Sequence, residues 1–231
     1  MTQTDDAAEQ RCASPPEPSP RAVWQLAPQV CRVPRLLGED AAGGVLERVL
    51  AIPQEELAPA RIRNDELNPA IRRSRTRHRF AVRELVTVLE TLHEQLEQVF
   101  GVPLRGTRAR YTLNVHNDGD FYRPHQDVNH RVPVKAPGGE KVLTFVYYLH
   151  RTPAPFTGGA LRIYDAASPV RGGAALTAQD CTYREWPPDH DSIIFFRPTT
   201  LHEVRPVSCP SRDLADSRFA VNGWLCRPGG A

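Results

Sequence analysis

A chain of 231 residues with 40% hydrophobic content is long enough to bury one core without disulfides or a structural zinc ion. Its 29 basic and 27 acidic residues give a formal net charge of +2, which predicts neither a nucleic-acid partner nor a membrane surface. The five cysteines form no C-x-x-C pair, so we expect free thiols. The first residues, MTQTDDAAEQ, have no apolar run typical of a signal peptide, and no stretch reaches the roughly 18 apolar residues of a membrane span. We therefore expect a cytoplasmic protein.

Four closely spaced prolines, with serine and glutamate among them, mark residues 1–22. Such a composition buries too little apolar surface to offset the entropy of ordering the chain. We expect a disordered tail there, followed by a single domain over 23–231. A first helix is predicted at 38–52, where Glu39 and Asp40 fall in the first turn and favour the helix dipole.

The segment 61–79 contains seven arginines. It is either an anion-binding patch or a solvated loop. The loop is favoured because Asp65 and Glu66 interrupt the basic run and no aromatic residue interleaves with it. Residues 80–100 then form the clearest amphipathic helix, which packs on a sheet or serves a dimer. Its apolar face consists of Leu85, Val88, Leu89, Leu92, Leu96, Val99 and Phe100.

From about residue 108 the pattern changes to short runs rich in valine, isoleucine, phenylalanine, tyrosine and threonine, separated by glycine, proline and aspartate. Many short strands with turn signals between them are typical of a sandwich or barrel. The predicted strands are 110–116, 141–150, 160–165, 192–196, 202–207 and 217–225.

His125 and Asp127 are separated by one residue, so in a strand both side chains point to the same face and can reach one ion. A third ligand must come from elsewhere, and His202, shortly after Pro198, is the best candidate. Two histidines and one carboxylate on one face leave three coordination positions open, which suits iron(II) with a cosubstrate and oxygen. Zinc prefers a more closed shell that is richer in nitrogen or sulfur. The pair alone is a weak signal, because a histidine two residues from an aspartate is common.

Five segments between residues 110 and 225 follow one another in a known order. GDFYRPHQD fits G-x-F-Y-x-x-H-x-D, KVLTFVYYLH ends in T-x-x-x-Y-L, and TGGALRIYD fits G-G-x-L-x-x-Y. DSIIFFRPTTLHEVRPV has the form of a strand pair that leads to a distal histidine, and SRFAVNGW fits R-x-x-x-x-x-W. Together these segments resemble prolyl 4-hydroxylase-type Fe(II)/2-oxoglutarate-dependent dioxygenases.

The resemblance implies a mainly β (α+β) fold, the double-stranded β-helix or jelly roll, with helical support over 38–100 and the core over 108–227. It also implies roles for particular residues. The iron ligands would be His125, Asp127 and His202. The far carboxylate of 2-oxoglutarate would be held by Arg218, Tyr148 and Thr144. A guanidinium suits this role, because its planar fork fits a carboxylate.

Substrate contacts are predicted with less support. Tyr122 precedes the first histidine ligand, and His116 stands where many relatives carry a tyrosine. The loop 128–140, with two prolines and two glycines, is a candidate lid, in which Asn129 and Arg131 could contact the substrate. A long surface hairpin is the alternative for that loop.

The implied reaction is hydroxylation of an unactivated C–H bond with iron(II), 2-oxoglutarate and O2, releasing succinate and CO2, with ascorbate as a possible supporting reductant. Asp127 favours hydroxylation over halogenation, since relatives that halogenate replace this carboxylate by a small residue. The substrate is either a prolyl residue in a protein or a free amino acid or other small metabolite. Two other classes stay open: a non-catalytic jelly-roll binding module, and a zinc-dependent hydrolase or isomerase, for which His130 would be the nearest extra ligand.

Overall fold

The computed structural model describes residues 23–62, 65–128, 139–169 and 178–228. The predicted disordered tail at 1–22 lies outside the described residues, and so does most of the candidate lid at 128–140. No helix within these ranges is long and apolar enough to cross a membrane.

Three α-helices occur in the described part of the chain. They are α1 (Glu39–Leu50), α2 (Arg83–Thr91) and α3 (His93–Phe100). The prediction of one helix over 80–100 is wrong at Leu92, where the N–H bonds to the carbonyls of both Val88 and Leu89 and the turn tightens. The apolar face bends with the chain, so that Leu89 and Leu96 stay buried while Val99 is 43% exposed.

The strands of the described residues cover most of the chain after residue 107. They are β1 (Val23–Leu26), β2 (Val30–Val33), β3 (Ala58–Pro59), β4 (Arg72–Arg73), β5 (Arg75–Arg77), β6 (Arg108–His116), β7 (Phe121–His125), β8 (Glu140–Leu149), β9 (Thr157–Gly158), β10 (Leu161–Tyr164), β11 (Ala166–Pro169), β12 (Tyr183–Trp186), β13 (Ser192–Phe196), β14 (His202–Val204), β15 (Val207–Ser208) and β16 (Arg218–Arg227). The predicted strand 202–207 is divided between β14 and β15.

Two antiparallel sheets form the body of the molecule. The major sheet has the order β2-β13-β8-β16-β6-β5-β3, and the minor sheet has the order β12-β10-β14-β7-β4. Two small pairs, β1 with β11 and β15 with β9, lie beside them. From β6 to β16 the chain passes repeatedly from one of these two sheets to the other, as in a jelly roll, although β10 and β12 pair within the minor sheet. The predicted fold class is confirmed.

Strand β8 shows why its sequence reads as one apolar run. Alternate residues of a strand face opposite sides of the sheet. Phe145 and Tyr147 pack in the cluster that contains the buried faces of all three helices, whereas Val146 and Tyr148 pack in the cluster between the sheets. Both faces of the major sheet are therefore buried, one under the helices and the other against the minor sheet.

The arginine-rich segment 61–79 departs from its predicted form as a solvated loop. Strand β4 pairs with β7 and strand β5 pairs with β6, so this segment extends both sheets at one edge. Arg72 lies opposite Tyr122 in the β4–β7 register. Part of the basic run is thus brought beside the predicted metal ligands, which the sequence did not indicate.

Candidate metal and cosubstrate site

The three predicted ligands meet on the minor sheet. Antiparallel pairing of β7 with β14 places His125 opposite His202, and Asp127 follows two residues after the end of β7. One ligand atom from each of the three residues lies within 4.8 Å of the other two. Among the described residues, this is the one cluster of three or more such side chains close enough to hold a metal ion.

Each imidazole is oriented by a backbone carbonyl two residues earlier. The Nδ1 atom of His125 lies 2.8 Å from the carbonyl oxygen of Arg123, and the Nδ1 atom of His202 lies 2.9 Å from that of Thr200. A carbonyl can only accept, so Nδ1 carries the proton in both rings. The Nε2 lone pairs are left for a metal ion, which is the usual arrangement of histidine ligands.

The carboxylate of Asp127 is also held from outside the cluster. Thr144, on β8 of the opposite sheet, donates a hydrogen bond of 2.7 Å from its hydroxyl to Oδ2. Thr144 was predicted to bind the cosubstrate, and the structure places its hydroxyl on the carboxylate of Asp127. The contact joins the two sheets at the cluster.

Burial and mutual charge set the protonation of the cluster. Burial first, and then the neighbouring His202, lower the pKa of His125 to about 3, so its ring stays neutral. Burial opposes ionisation of Asp127, but His202 and His125 outweigh it and lower the pKa of the carboxyl group. Neutral imidazoles and an ionised carboxylate are the forms that bind a metal ion.

Aromatic and cationic groups pack around the imidazoles. The ring of Tyr122 stacks on His125 at a centroid distance of 3.5 Å, and the Arg72 guanidinium lies 4.7 Å from the centroid of that tyrosine. Phe196 meets the ring of His202 edge-on at 4.7 Å. Tyr122, predicted to contact the substrate, therefore lies against a metal ligand. Arg72 was missed as a neighbour of the site, and the arginine run was the signal that could have found it.

Arg218 lies deep between the sheets and is 1% exposed. Its Nε atom donates to the carbonyl oxygen of Gly159 at 2.8 Å, and Nη1 lies 3.4 Å from Nδ1 of His116. Its guanidinium carbon lies 4.9 Å from the centroid of the Tyr148 ring. The Nη2 atom of Arg218, the Tyr148 hydroxyl and Nε2 of His116 are all buried without a hydrogen-bond partner among the described residues.

These three unpartnered atoms are all donors. Burial raises the pKa of Tyr148 to about 12, so its hydroxyl keeps its proton. Burial first, and then the charge of Arg218, lower the pKa of His116 well below its ordinary value, so the ring is neutral. Its Nδ1 accepts from Arg218, which leaves the proton on Nε2. A buried cation with one free donor atom, beside two further free donors from Tyr148 and His116, suits an anion, and a carboxylate matches this charge and these donors.

The pocket around Arg218 depends on a glycine. Gly159 has a φ of +66°, and a Cβ atom there would lie 2.7 Å from Cδ of Arg218 and 2.9 Å from Cγ2 of Val207. The G-G pair of the sequence motif thus lets the backbone approach the guanidinium closely. His116, predicted to contact the substrate, is placed beside this guanidinium. Asn129 and Arg131, the other two predicted substrate residues, lie outside the described residues.

Residues 109–226 match the family model of the 2OG-Fe(II) oxygenase superfamily. The chain belongs to this superfamily. It is also 37% identical over 142 residues to an uncharacterized PKHD-type hydroxylase of Synechocystis sp.. That alignment covers 60% of this chain and 43% of the relative, so the chain spans less than half of the relative's length. The predicted family is confirmed, and its members use iron(II), 2-oxoglutarate and O2.

Solved structures share the fold at low sequence identity. A prolyl-4-hydroxylase of Pseudomonas putida matches with a TM-score of 0.62 and 19% identity, over 88% of this chain and 95% of that chain. A prolyl hydroxylase of Trichoplax adhaerens, in complex with a hypoxia inducible factor peptide fragment, matches with a TM-score of 0.60 and 18% identity, over 87% of this chain and 84% of that chain. The epimerase SnoN of nogalamycin biosynthesis matches with a TM-score of 0.52 and 16% identity, over 88% and 83% of the two chains. These likenesses show a common fold.

Proposed function

We propose that this protein is an iron(II)- and 2-oxoglutarate-dependent hydroxylase. Its metal ligands are His125, Asp127 and His202, and Arg218 with Tyr148 holds the far carboxylate of 2-oxoglutarate. The observation that carries the proposal is the buried guanidinium with an unpartnered Nη2 in the same inter-sheet space as a two-histidine, one-carboxylate cluster. Such an unpaired buried charge is costly, so its presence supports an anion bound beside the cluster.

The bound iron and 2-oxoglutarate supply the oxidising chemistry, in which one oxygen atom of O2 enters the substrate C–H bond, the other enters succinate, and CO2 is released. The protein's residues orient and shield this chemistry. Arg218 and Tyr148 would fix one end of 2-oxoglutarate, while the Nε2 atoms of His125 and His202 and the carboxylate of Asp127 would hold the metal. Phe196, packed on His202, excludes water from that side of the ligands.

The substrate is a prolyl residue of a protein or a free amino acid or other small metabolite. Two of the similar solved structures are prolyl hydroxylases, and one of these contains a peptide fragment, which supports the prolyl residue. A charged cavity at the edge of the minor sheet supports the free amino acid, as argued below. A need for ascorbate stays a prediction.

An anaerobic titration tests the proposal. Iron(II) and then 2-oxoglutarate are added to the wild type, His202→Ala and Arg218→Ala, and the weak visible metal-to-ligand charge-transfer band is recorded. We expect a band in the wild type, none in His202→Ala, and a band in Arg218→Ala that needs much more 2-oxoglutarate. A folded wild type that binds iron(II) without producing the band would refute the proposal, and a preference for zinc would favour the hydrolase or isomerase alternative.

A further inference from the structure

Strand register places a second charged group on the face of the metal ligands. In the minor sheet His125 lies opposite His202, His202 lies opposite Ile163, and Ile163 lies opposite Arg184. Residues that lie opposite one another on paired strands share a face of the sheet. Neighbouring strands are about 4.8 Å apart, so the backbone of Arg184 lies about 10 Å from that of His202 along this face. Arg184 therefore ends the row of side chains in which the metal ligands stand.

A cavity of about 260 Å³ opens at this end of the row. It lies between the start of β2 and the edge strand β12. Ile163 lines the cavity and also lies opposite His202 in the sheet. Val30 and Trp186 form other parts of the wall and pack on the apolar cluster between the sheets. The volume is below the roughly 300–1,000 Å³ of sites for drug-sized ligands. The cavity suits a molecule of amino-acid size.

The charges in this cavity are not used by the fold. The side chain of Arg184 is exposed and makes no ion pair or hydrogen bond with any residue that the structure describes. Asp165 follows β10 and lies across from Thr182, next to Arg184, and its carboxylate accepts a hydrogen bond from the Thr182 hydroxyl but has no cationic partner within the described ranges. By contrast, Arg162 of β10 and Arg205, which follows β14, are paired with glutamates.

Trp186 forms an apolar part of the wall together with Ile163. The cavity thus combines an arginine and a carboxylate that lack ionic partners among the described residues with an apolar wall, in which Ile163 lies beside His202 in the sheet. A neutral internal residue of a peptide has nothing to match these charges.

We propose that this cavity binds the zwitterionic end of a free amino acid, with the carboxylate on Arg184 and the ammonium group on Asp165. The side chain of the amino acid then extends past Ile163 toward the metal ligands, where its C–H bond is hydroxylated. This inference rests on the proposed function, and it names a free amino acid as the substrate class. The reaction is the proposed hydroxylation: one oxygen atom of O2 enters the C–H bond, the other enters succinate, and 2-oxoglutarate loses CO2.

The test uses the wild type loaded anaerobically with iron(II) and 2-oxoglutarate. Each of the twenty free L-amino acids is added, and binding is followed by perturbation of the charge-transfer band and by calorimetry. For each that binds, the α-amide and the N-acetyl derivative are compared with the free amino acid. We expect at least one to bind, and both derivatives to bind about tenfold more weakly, because each loses a charge-assisted hydrogen bond.

Three variants test which residue causes the preference for the free amino acid over its amide and over its N-acetyl derivative. Arg184→Gln should lose the preference for the free acid over the amide, and Asp165→Asn the preference for the free amine over the N-acetyl derivative. Arg205→Gln, whose arginine is paired on the outer face, should keep both preferences. The inference is overturned if no amino acid binds, if the preferences survive in Arg184→Gln and Asp165→Asn, or if a blocked prolyl peptide binds equally well to wild type and variants. A wild type without the charge-transfer band would instead overturn the proposed function itself.

Discussion

The hydroxyl of Thr144 donates a hydrogen bond of 2.7 Å to Oδ2 of Asp127, and so joins the major sheet to the predicted metal ligands. Partners of this kind orient a ligating carboxylate, and their loss commonly weakens metal binding by about 10- to 100-fold. We expect Thr144→Val to weaken iron(II) binding by about tenfold in anaerobic titration, with thermal stability almost unchanged. Thr144→Ser keeps the hydroxyl and should bind iron(II) like the wild type. Equal affinity in Thr144→Val would show that other contacts hold Asp127.

The unpartnered Nη2 atom of the buried Arg218 predicts that stability depends on 2-oxoglutarate. With iron(II) present, 2-oxoglutarate at one hundred times its Kd should raise the free energy of unfolding by about 2.7 kcal/mol. We expect the melting temperature to rise by several degrees in the wild type, and not in Arg218→Met at the same concentration. Without ligand, Arg218→Met should be at least as stable as the wild type, because it removes a buried charge that lacks an anion. A ligand-induced rise of equal size in both proteins would contradict the assignment.

Gly159 should tolerate no side chain. Its φ of +66° and the 2.7 Å approach of a Cβ atom to Cδ of Arg218 predict that Gly159→Ala displaces the guanidinium. We expect the free energy of unfolding to fall by about 1–3 kcal/mol and the Kd for 2-oxoglutarate to rise. The control is Gly43→Ala in α1, where a Cβ atom meets nothing within 4 Å. That variant should gain about 0.5–1 kcal/mol and leave 2-oxoglutarate binding unchanged. Denaturant titration and ligand titration of both variants check the two effects.

Asp191 links the major sheet to the first helix. Its carboxylate accepts hydrogen bonds from the N–H groups of Leu37 and Gly38, just before α1, and from the hydroxyl of Tyr147, each at 2.9 Å. Asp191→Ala leaves three donors unsatisfied, so we expect urea denaturation to show a loss of about 3 kcal/mol. Iron(II) and 2-oxoglutarate affinities should not change, since the bonds lie on the helix side of the sheet. Asp191→Asn, which retains an acceptor and tolerates the φ of 55°, should lose less.

Much of the fold could be predicted from local patterns. Apolar alternation and turn residues located the main strands to within a few residues, and the spacing of five motifs indicated the jelly roll. The errors came where a local pattern is ambiguous. The apolar face continues through Leu92 although the helix does not, and the basic composition of 61–79 concealed β4 and β5, whose stability comes from pairing with β7 and β6.

For the site, the sequence named all three side chains of the cluster and the buried arginine, because a strand aligns residues two apart and the motifs are sequential. It could not show that Thr144 reaches Asp127, that His116 lies beside Arg218, or that Tyr122 stacks on His125. Each of these contacts depends on how two segments pair or how two sheets face each other. The ligand and substrate roles themselves stay predictions until the titrations above are made.

By itself, the sequence determined the family, because the motifs that carry the resemblance are short runs of neighbouring residues. The resemblance in turn implied the jelly roll and the residues that would hold iron and 2-oxoglutarate. Only the tertiary structure decided which polar groups are satisfied and which are left over. Arg162 and Arg184 are both arginines of the minor sheet. Arg162 is paired with a glutamate on the outer face, whereas Arg184 lies on the same face as His202 and its side chain has no partner in the described part of the chain. Register and sheet packing make that difference, because they determine the neighbours of a side chain, and residues far apart in the chain supply those neighbours.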